Sequence, residues 1–314
     1  MSTIVAVAGG SSGLGRTIVD ALKADARYEV LILGRKLEEE SGTRVLAIDY
    51  TSVDALVALL EANKVAVVIS TVNSLVDTTP EFNLIKAAAQ SHVTKRFIPN
   101  VWSALEFKPE PRFTSLPIAV ARLQAIDELK KTNLEWTAIY PRIFMESFVQ
   151  GMPWYLTVYP LKVDIENSTA GLPVKGEGLI SLTYSRDIAK YVASLLGLEK
   201  WEQSYFITAD VKTWNEIVAA AEAGKGVKFN VSYDSIEKLQ KGEATELPSY
   251  TKIYEAFGGR EIAKPIVQAI FAQYGLWMDE GLFNYKGGTF LNDLFPEIKP
   301  LKLDEAWEKA GGKA

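Results

Sequence analysis

The chain contains no cysteine. Disulfides, thiolate metal sites and cysteine nucleophiles are therefore excluded. It has a single histidine, His92. That removes histidine-cluster metal sites and argues against a Ser-His-Asp hydrolase, and no metal is expected. His92 follows a helical stretch at Phe82–Gln90 and precedes a strand at Thr94–Ile98, so it reads as a loop residue. No apolar run is long enough to span a bilayer. The amino terminus runs straight into a strand-like segment, leaving no room for a signal or transit peptide, so the cytoplasm is the expected location. Acidic residues outnumber basic ones, 39 to 34. No basic stripe supports nucleic-acid binding.

What the chain does have is 314 residues, 48% of them hydrophobic, enough for one large or two modest domains. Ile4–Ala8 is an apolar run of the kind buried in parallel sheets. It meets the turn Gly9-Gly-Ser-Ser-Gly-Leu-Gly15, and a helical pattern follows with Leu14, Ile18 and Leu22 on one face. Strand, glycine turn, helix is the context of a dinucleotide site. Gly9, Gly13 and Gly15 let the backbone turn sharply and approach a pyrophosphate; Ser11, Ser12 and Leu14 complete the turn. The helix start offers free N–H groups and a positive dipole end.

A second strand, Glu29–Leu33, ends in Gly34-Arg35-Lys36. NAD enzymes carry an acid near this point for the ribose 2′-hydroxyl. Arg35 and Lys36 instead attract a 2′-phosphate, with Arg16 near enough in sequence to assist. The expected cofactor is NADP(H).

Further strands are read at Arg44–Ile48, Val65–Ser70, Arg96–Pro99 and Trp136–Tyr140. Helices are read at Leu14–Ala24, Val53–Glu61, Pro80–Gln90 and Ala119–Lys131. This alternation predicts an α/β fold, a Rossmann-type doubly wound parallel sheet with a smaller mixed α/β carboxyl-terminal lobe. Ligands of such sheets lie at the carboxyl ends of the strands. That nominates Asp49, Tyr50, Thr71, Val72, Asn100, Trp102, Tyr140, Pro141 and Phe144 for cofactor contact. The rhythm breaks after Gln150. The expected division is residues 1–150 for NADP(H), completed by a strand and helix from about 182–208, and residues 151–314 as a substrate-binding lobe. A helix is read from Arg186, a long helical stretch from about Thr251 to Tyr274, and a turn-rich tail at Leu291–Pro300. Trp102, Met145, Trp154, Tyr155 and Phe283 are candidates for an apolar substrate pocket, with core packing the commoner use of such side chains.

Taken together, the glycine turn, Gly34-Arg35-Lys36, Lys95-Arg-Phe-Ile-Pro-Asn-Val-Trp102, Leu134-Glu-Trp-Thr-Ala-Ile-Tyr-Pro141 with Phe144-Met-Glu146, Arg186-Asp-Ile-Ala189 and Leu291-Asn-Asp-Leu-Phe-Pro296 carry a resemblance. The chain resembles the atypical short-chain reductases of the NmrA-like and isoflavone-reductase-like family, particularly fungal members, over nearly its full length. The resemblance implies an NADP(H)-binding Rossmann domain and a variable substrate lobe. The glycine spacing is that of conventional short-chain dehydrogenases, yet no Tyr-x-x-x-Lys occurs. The family's reductases use a lysine at the start of the helix before the sixth strand, and that position falls here on Arg122. The usual Pro-Ser-Glu-Phe/Trp-Gly segment reads Pro99-Asn100-Val101-Trp102-Ser103. Arg122 and Asn100 are thus the catalytic candidates, with Arg122 also near the cofactor. Arginine does not donate a proton near neutrality, but it orients groups and stabilises negative charge.

Two functions follow. One is an NADP(H)-dependent oxidoreductase for a bulky aromatic or polycyclic small molecule of fungal secondary metabolism. It would act on an activated iminium or enone, with ring formation as a possible companion step. The other is a non-enzymatic NADP-binding redox sensor of the NmrA type, which loss of the family lysine favours. A small-molecule substrate and a monomer or homodimer are expected, with no nucleic-acid or membrane partner.

Overall fold

The computed structural model describes residues 2–35, 42–72, 77–284 and 286–311. It divides into two compact units. The first comprises residues 1–140, 185–207 and 288–298; the second comprises 141–184, 208–287 and 299–314.

The first unit is built on β1 (Thr3–Ala8), α1 (Gly13–Lys23), β2 (Tyr28–Gly34), β3 (Arg44–Ala47), α2 (Val53–Ala62), β4 (Val67–Ser70), α3 (Thr79–Gln90), β5 (Arg96–Ile98), α4 (Pro111–Thr114), α5 (Pro117–Leu129), β6 (Glu135–Trp136) and β7 (Ala138–Tyr140). The strands form a parallel sheet in the order β3-β2-β1-β4-β5-β6. This is the doubly wound Rossmann order, and its switch point lies between β1 and β4. The segment read as one strand at Trp136–Tyr140 is shared out by its partners. Glu135–Trp136 pairs with β5, and Ala138–Tyr140 pairs in parallel with Ser204–Phe206.

Burial explains why these segments are apolar. From Val5 to Ala8, β1 is fully covered, as a parallel strand between helix layers must be. In α1, Leu14, Ile18, Val19 and Leu22 are buried on one stripe. Each such side chain contributes roughly 1.5–3 kcal/mol relative to exposure. The helix Ser185–Leu195 belongs to this unit and packs on α1. Arg96 ties the following segment to the sheet: its Nε meets Glu135 at 2.6 Å, and its guanidinium lies 4.7 Å from the Trp201 ring centre.

The second unit holds two small sheets. Asn230–Asp234, Thr169–Pro173 and Val163–Asp164 form one; Asp210–Thr213, Leu179–Thr183 and Ile143–Phe144 form the other. The helical stretch read from Thr251 to Tyr274 is two helices, Tyr250–Ala256 and Arg260–Asp279. Gly258 and Gly259, both at positive φ of 96° and 94°, break it. The tail read as turn-rich at Leu291–Pro300 contains one short helix, Leu291–Leu294, and a second helix, Leu303–Lys309, follows it. Among the described residues no helix is long and apolar enough to cross a membrane.

Candidate cofactor and active site

The glycine turn sits at the carboxyl end of β1, beside the end of β4. Thr71 closes it: its backbone N–H and its hydroxyl both donate to the Ala8 carbonyl, at 2.9 and 2.8 Å. The turn is tight against that threonine. A Cβ on Gly15 would lie 2.4 Å from both the Gly9 carbonyl oxygen and Thr71 Oγ1. Gly9 itself holds φ at +78°. Ser12, at the helix N-cap, is extended and makes no side-chain cap bond, and the first turn carries no acid. Ser11 and Ser12 are exposed, whereas Leu14 is anchored in the core. An 11-residue helix thus presents an acid-free amino end beside a backbone cradle shaped for an anion.

Arg35 is exposed directly after β2. Lys36 lies outside the described residues. Arg16 is engaged with Asp20, Nε to Oδ1 at 3.1 Å, so it faces along its own helix. Beyond β3, Asp49 accepts from the Thr51 N–H and hydroxyl, and these bonds hold its carboxyl below the usual range. The Tyr50 hydroxyl donates to the Leu33 carbonyl at 3.4 Å. Burial pushes that hydroxyl up and Glu81 adds to the rise, while Arg35 acts in the opposite direction. Arg35 and Tyr50 are therefore electrostatic neighbours at one edge of the site.

The ends of β4 and β5 form a connected network. Glu81, in the first turn of α3, is 2% exposed. Ser70 Oγ donates to Glu81 Oε2, and the Asn100 backbone N–H donates to Oε1 at 2.9 Å. The Asn100 side-chain amide donates to the Val72 carbonyl at 2.5 Å. Trp102 Nε1 donates to the Ser70 carbonyl at 2.9 Å. Arg122 Nη2 donates to the Trp102 carbonyl at 3.1 Å, and its guanidinium lies 5.8 Å from the Phe107 ring centre. Thr71, Val72, Asn100, Trp102 and Arg122 are thus brought together.

Of these, Arg122 also lines a cavity of 280 Å³, with Val101, Glu106, Phe107, Trp136 and Tyr140 among its other walls. Burial and then the Glu106 carboxylate push the Tyr140 hydroxyl up; Arg122 pulls it the other way. Tyr140 also stacks on Phe206, with ring centres 5.2 Å apart.

The remaining candidates belong to the second unit. Pro141 and Met145 are buried, and Phe144 is half-buried on the strand paired with Thr183. Trp154 is half-buried and Tyr155 exposed. Phe283 is buried edge-on to Tyr274, which is core packing. His92 lies in the exposed loop before β5. No group of three or more His, Cys, Asp or Glu side chains among the described residues is arranged to hold a metal.

Glu81, Glu106 and Phe107 were not nominated from the sequence. For Glu81 a signal exists: it falls in phase with Leu84, Ile85 and Ala88, an i, i+3, i+4, i+7 stripe, all buried. An acid in a first helical turn ordinarily reads as an exposed dipole partner, which masks the phase.

The fold and the turn define a Rossmann protein with a dinucleotide-type cradle. Residues 1–274 match the model of the NmrA-like family, and the chain belongs to that family. It is 30% identical to oxidoreductase BOA1 of Botryotinia fuckeliana, over 94% of this chain and 95% of that protein. It is 29% identical to oxidoreductase swnN of Metarhizium robertsii, over 96% and 95%. Its fold is similar to that of leucoanthocyanidin reductase from Vitis vinifera solved as a binary complex with NADPH. The TM-score is 0.73 at 16% identity, over 98% of this chain and 99% of that one.

Proposed function

We propose that the protein is an NADP(H)-dependent oxidoreductase acting on a bulky aromatic or polycyclic small molecule of the kind made in fungal secondary metabolism. The observation that carries this reading is the layout of the first unit's carboxyl edge. An open helix end lies at the switch point, Arg35 stands beyond β2, and Arg122 with Tyr140 borders a cavity. The residues fit a dinucleotide: the turn packs so closely on Thr71 that Gly9 and Gly15 have no room for a Cβ, nothing lies within 4 Å of the Cβ position of Gly13, and α1 opens without an acid. The names of the fungal relatives and the NADPH in the neighbouring reductase point the same way.

When bound, the reduced nicotinamide supplies hydride. The turn at Gly9–Gly15 would hold the pyrophosphate. Arg35 would hold the 2′-phosphate by charge and paired hydrogen bonds. Arg122 keeps its proton at neutral pH, so it stabilises negative charge without transferring a proton. The Tyr140 hydroxyl also stays protonated and offers a hydrogen bond. An iminium is neutralised by hydride alone and needs no acid; the enolate formed from a conjugated enone would be held by Arg122 and Tyr140 and take its proton from water.

Calorimetric titration of NADPH and NADH tests the cofactor assignment. Wild type should prefer NADPH. Arg35→Asp should weaken NADPH binding by about 1.5–3 kcal/mol, the worth of a charged hydrogen bond, and NADH much less. Equal loss for both cofactors refutes the 2′-phosphate role. One observation favours a redox sensor instead: Arg122, where the family places its lysine, is bonded to a backbone carbonyl. Cofactor binding without NADPH oxidation across a panel of iminium and enone acceptors would establish that reading.

A further inference from the structure

Glu81 continues the sheet at the point where its backbone pairing stops. The ladder between β4 and β5 ends at Ile69 and Ile98. Beyond it, Ser70 is the last residue of β4 and Asn100 lies two residues past β5. The two oxygens of one carboxyl join them, one bonded to each side. From there the connections run outward. Asn100 holds Val72, Trp102 holds Ser70, and Arg122 holds Trp102.

We propose that Glu81 is a positioning residue, whose buried carboxyl fixes the Thr71–Val72 and Asn100–Trp102 loops and, through Trp102, the guanidinium of Arg122. This rests on the reading that those loops and Arg122 face the reacting end of the cofactor. Glu81 touches neither cofactor nor substrate in this role.

The energetics argue for geometry over stability. A buried carboxyl is costly even when hydrogen-bonded, and an apolar set at Glu81 and its partners together would hold the core at least as well. Burial pushes the carboxyl up to about 7, with the Ser70 and Asn100 bonds pulling it back down. Either protonation state keeps an acceptor for the Asn100 N–H. What an apolar replacement loses is the bridge: the half-buried Asn100 and the buried Ser70 no longer share one acceptor group.

The test uses two probes on the full-length protein. Adenosine 2′,5′-bisphosphate reports the adenine end alone. NADPH reports both ends, and its nicotinamide fluorescence reports the environment of the ring. For Glu81→Leu, affinity for the bisphosphate should stay within about threefold. NADPH affinity should fall by about tenfold or more and the bound-state fluorescence change should shrink, because the loops lose the carboxyl that joins them. Glu81→Gln keeps an oxygen for Asn100 and should recover most of the NADPH signal. If Glu81→Leu does not fold, Ser70→Ala replaces it, since it removes the partner of Oε2 and should reproduce the loss confined to NADPH. Parallel loss of both probes, or a Glu81→Leu protein with wild-type NADPH fluorescence, overturns the proposal. Wild-type protein that binds neither probe overturns the cofactor reading, and this inference with it.

Discussion

Gly15→Ala should separate the steric demand of the turn from its conformational one. The new Cβ would sit 2.4 Å from two oxygens, where ordinary contact begins near 3.4 Å. The helix start and the Gly9–Thr71 wall must therefore part by about 1 Å. Neither yields freely. Thr71 is pinned by two bonds to Ala8, and α1 is held by Leu14, Ile18, Val19 and Leu22. Overpacking of this kind costs about 1–3 kcal/mol. Alanine returns about 1 kcal/mol of helix propensity. The net loss of stability is about 0–2 kcal/mol, or only a few degrees of melting temperature. Binding should suffer more, because a 1 Å shift moves the N–H groups off a phosphate; about tenfold or greater loss of NADPH affinity is expected. Gly13 is the control. Its φ is +55° and nothing lies within 4 Å of its Cβ position. Gly13→Asn, a residue that tolerates this backbone, should leave the stability of the unliganded protein within about 0.5 kcal/mol. Urea unfolding and NADPH fluorescence titration of both variants give the answer. A Gly15→Ala protein with wild-type NADPH affinity refutes the cradle.

Arg122→Ala should leave NADPH affinity within about threefold and slow stopped-flow NADPH oxidation by an enone acceptor by about tenfold or more; an unchanged rate makes Arg122 a surface residue. Lys162 is fully buried, with its ammonium donating to the Phe271 carbonyl at 2.9 Å, and burial holds it down from 10.5 to about 8. The folded state therefore binds fewer protons than the unfolded state between those values, so stability rises with pH across the window, by up to about 3 kcal/mol. Lys162→Met should abolish that rise in urea unfolding at pH 7.5 and pH 10, and a variant that keeps the wild-type slope refutes the assignment.

The local pattern made the first unit readable. A fully apolar five-residue run, a glycine turn and an amphipathic helix each have one common structural solution, and repetition of that unit implies the parallel sheet. Where reading failed, the deciding force was still local but discounted. Gly258-Gly259 broke a helical pattern that apolar spacing alone carried through. The helix inside the turn-rich tail spans only four residues, too short for a period to register. The site posed a harder problem. Position at a strand end nominated Asn100 and Trp102, the first helical turn nominated Arg16, and the family resemblance nominated Arg122. Position says nothing of where a donor is spent. Asn100 spends its amide on Val72, Trp102 its indole on Ser70, and Arg16 its guanidinium on Asp20. These partners lie from 4 to 32 residues away, and the longer pairings have no period that a sequence window detects. Under the proposed function, these residues divide into those that would face a ligand and those that hold loops for others to do so. Glu81 belongs to the second group, and its only advance notice was a charge in phase with an apolar stripe. An acid out of place in a buried pattern is accordingly a better guide to the supporting layer of such a site than residues chosen by strand end alone.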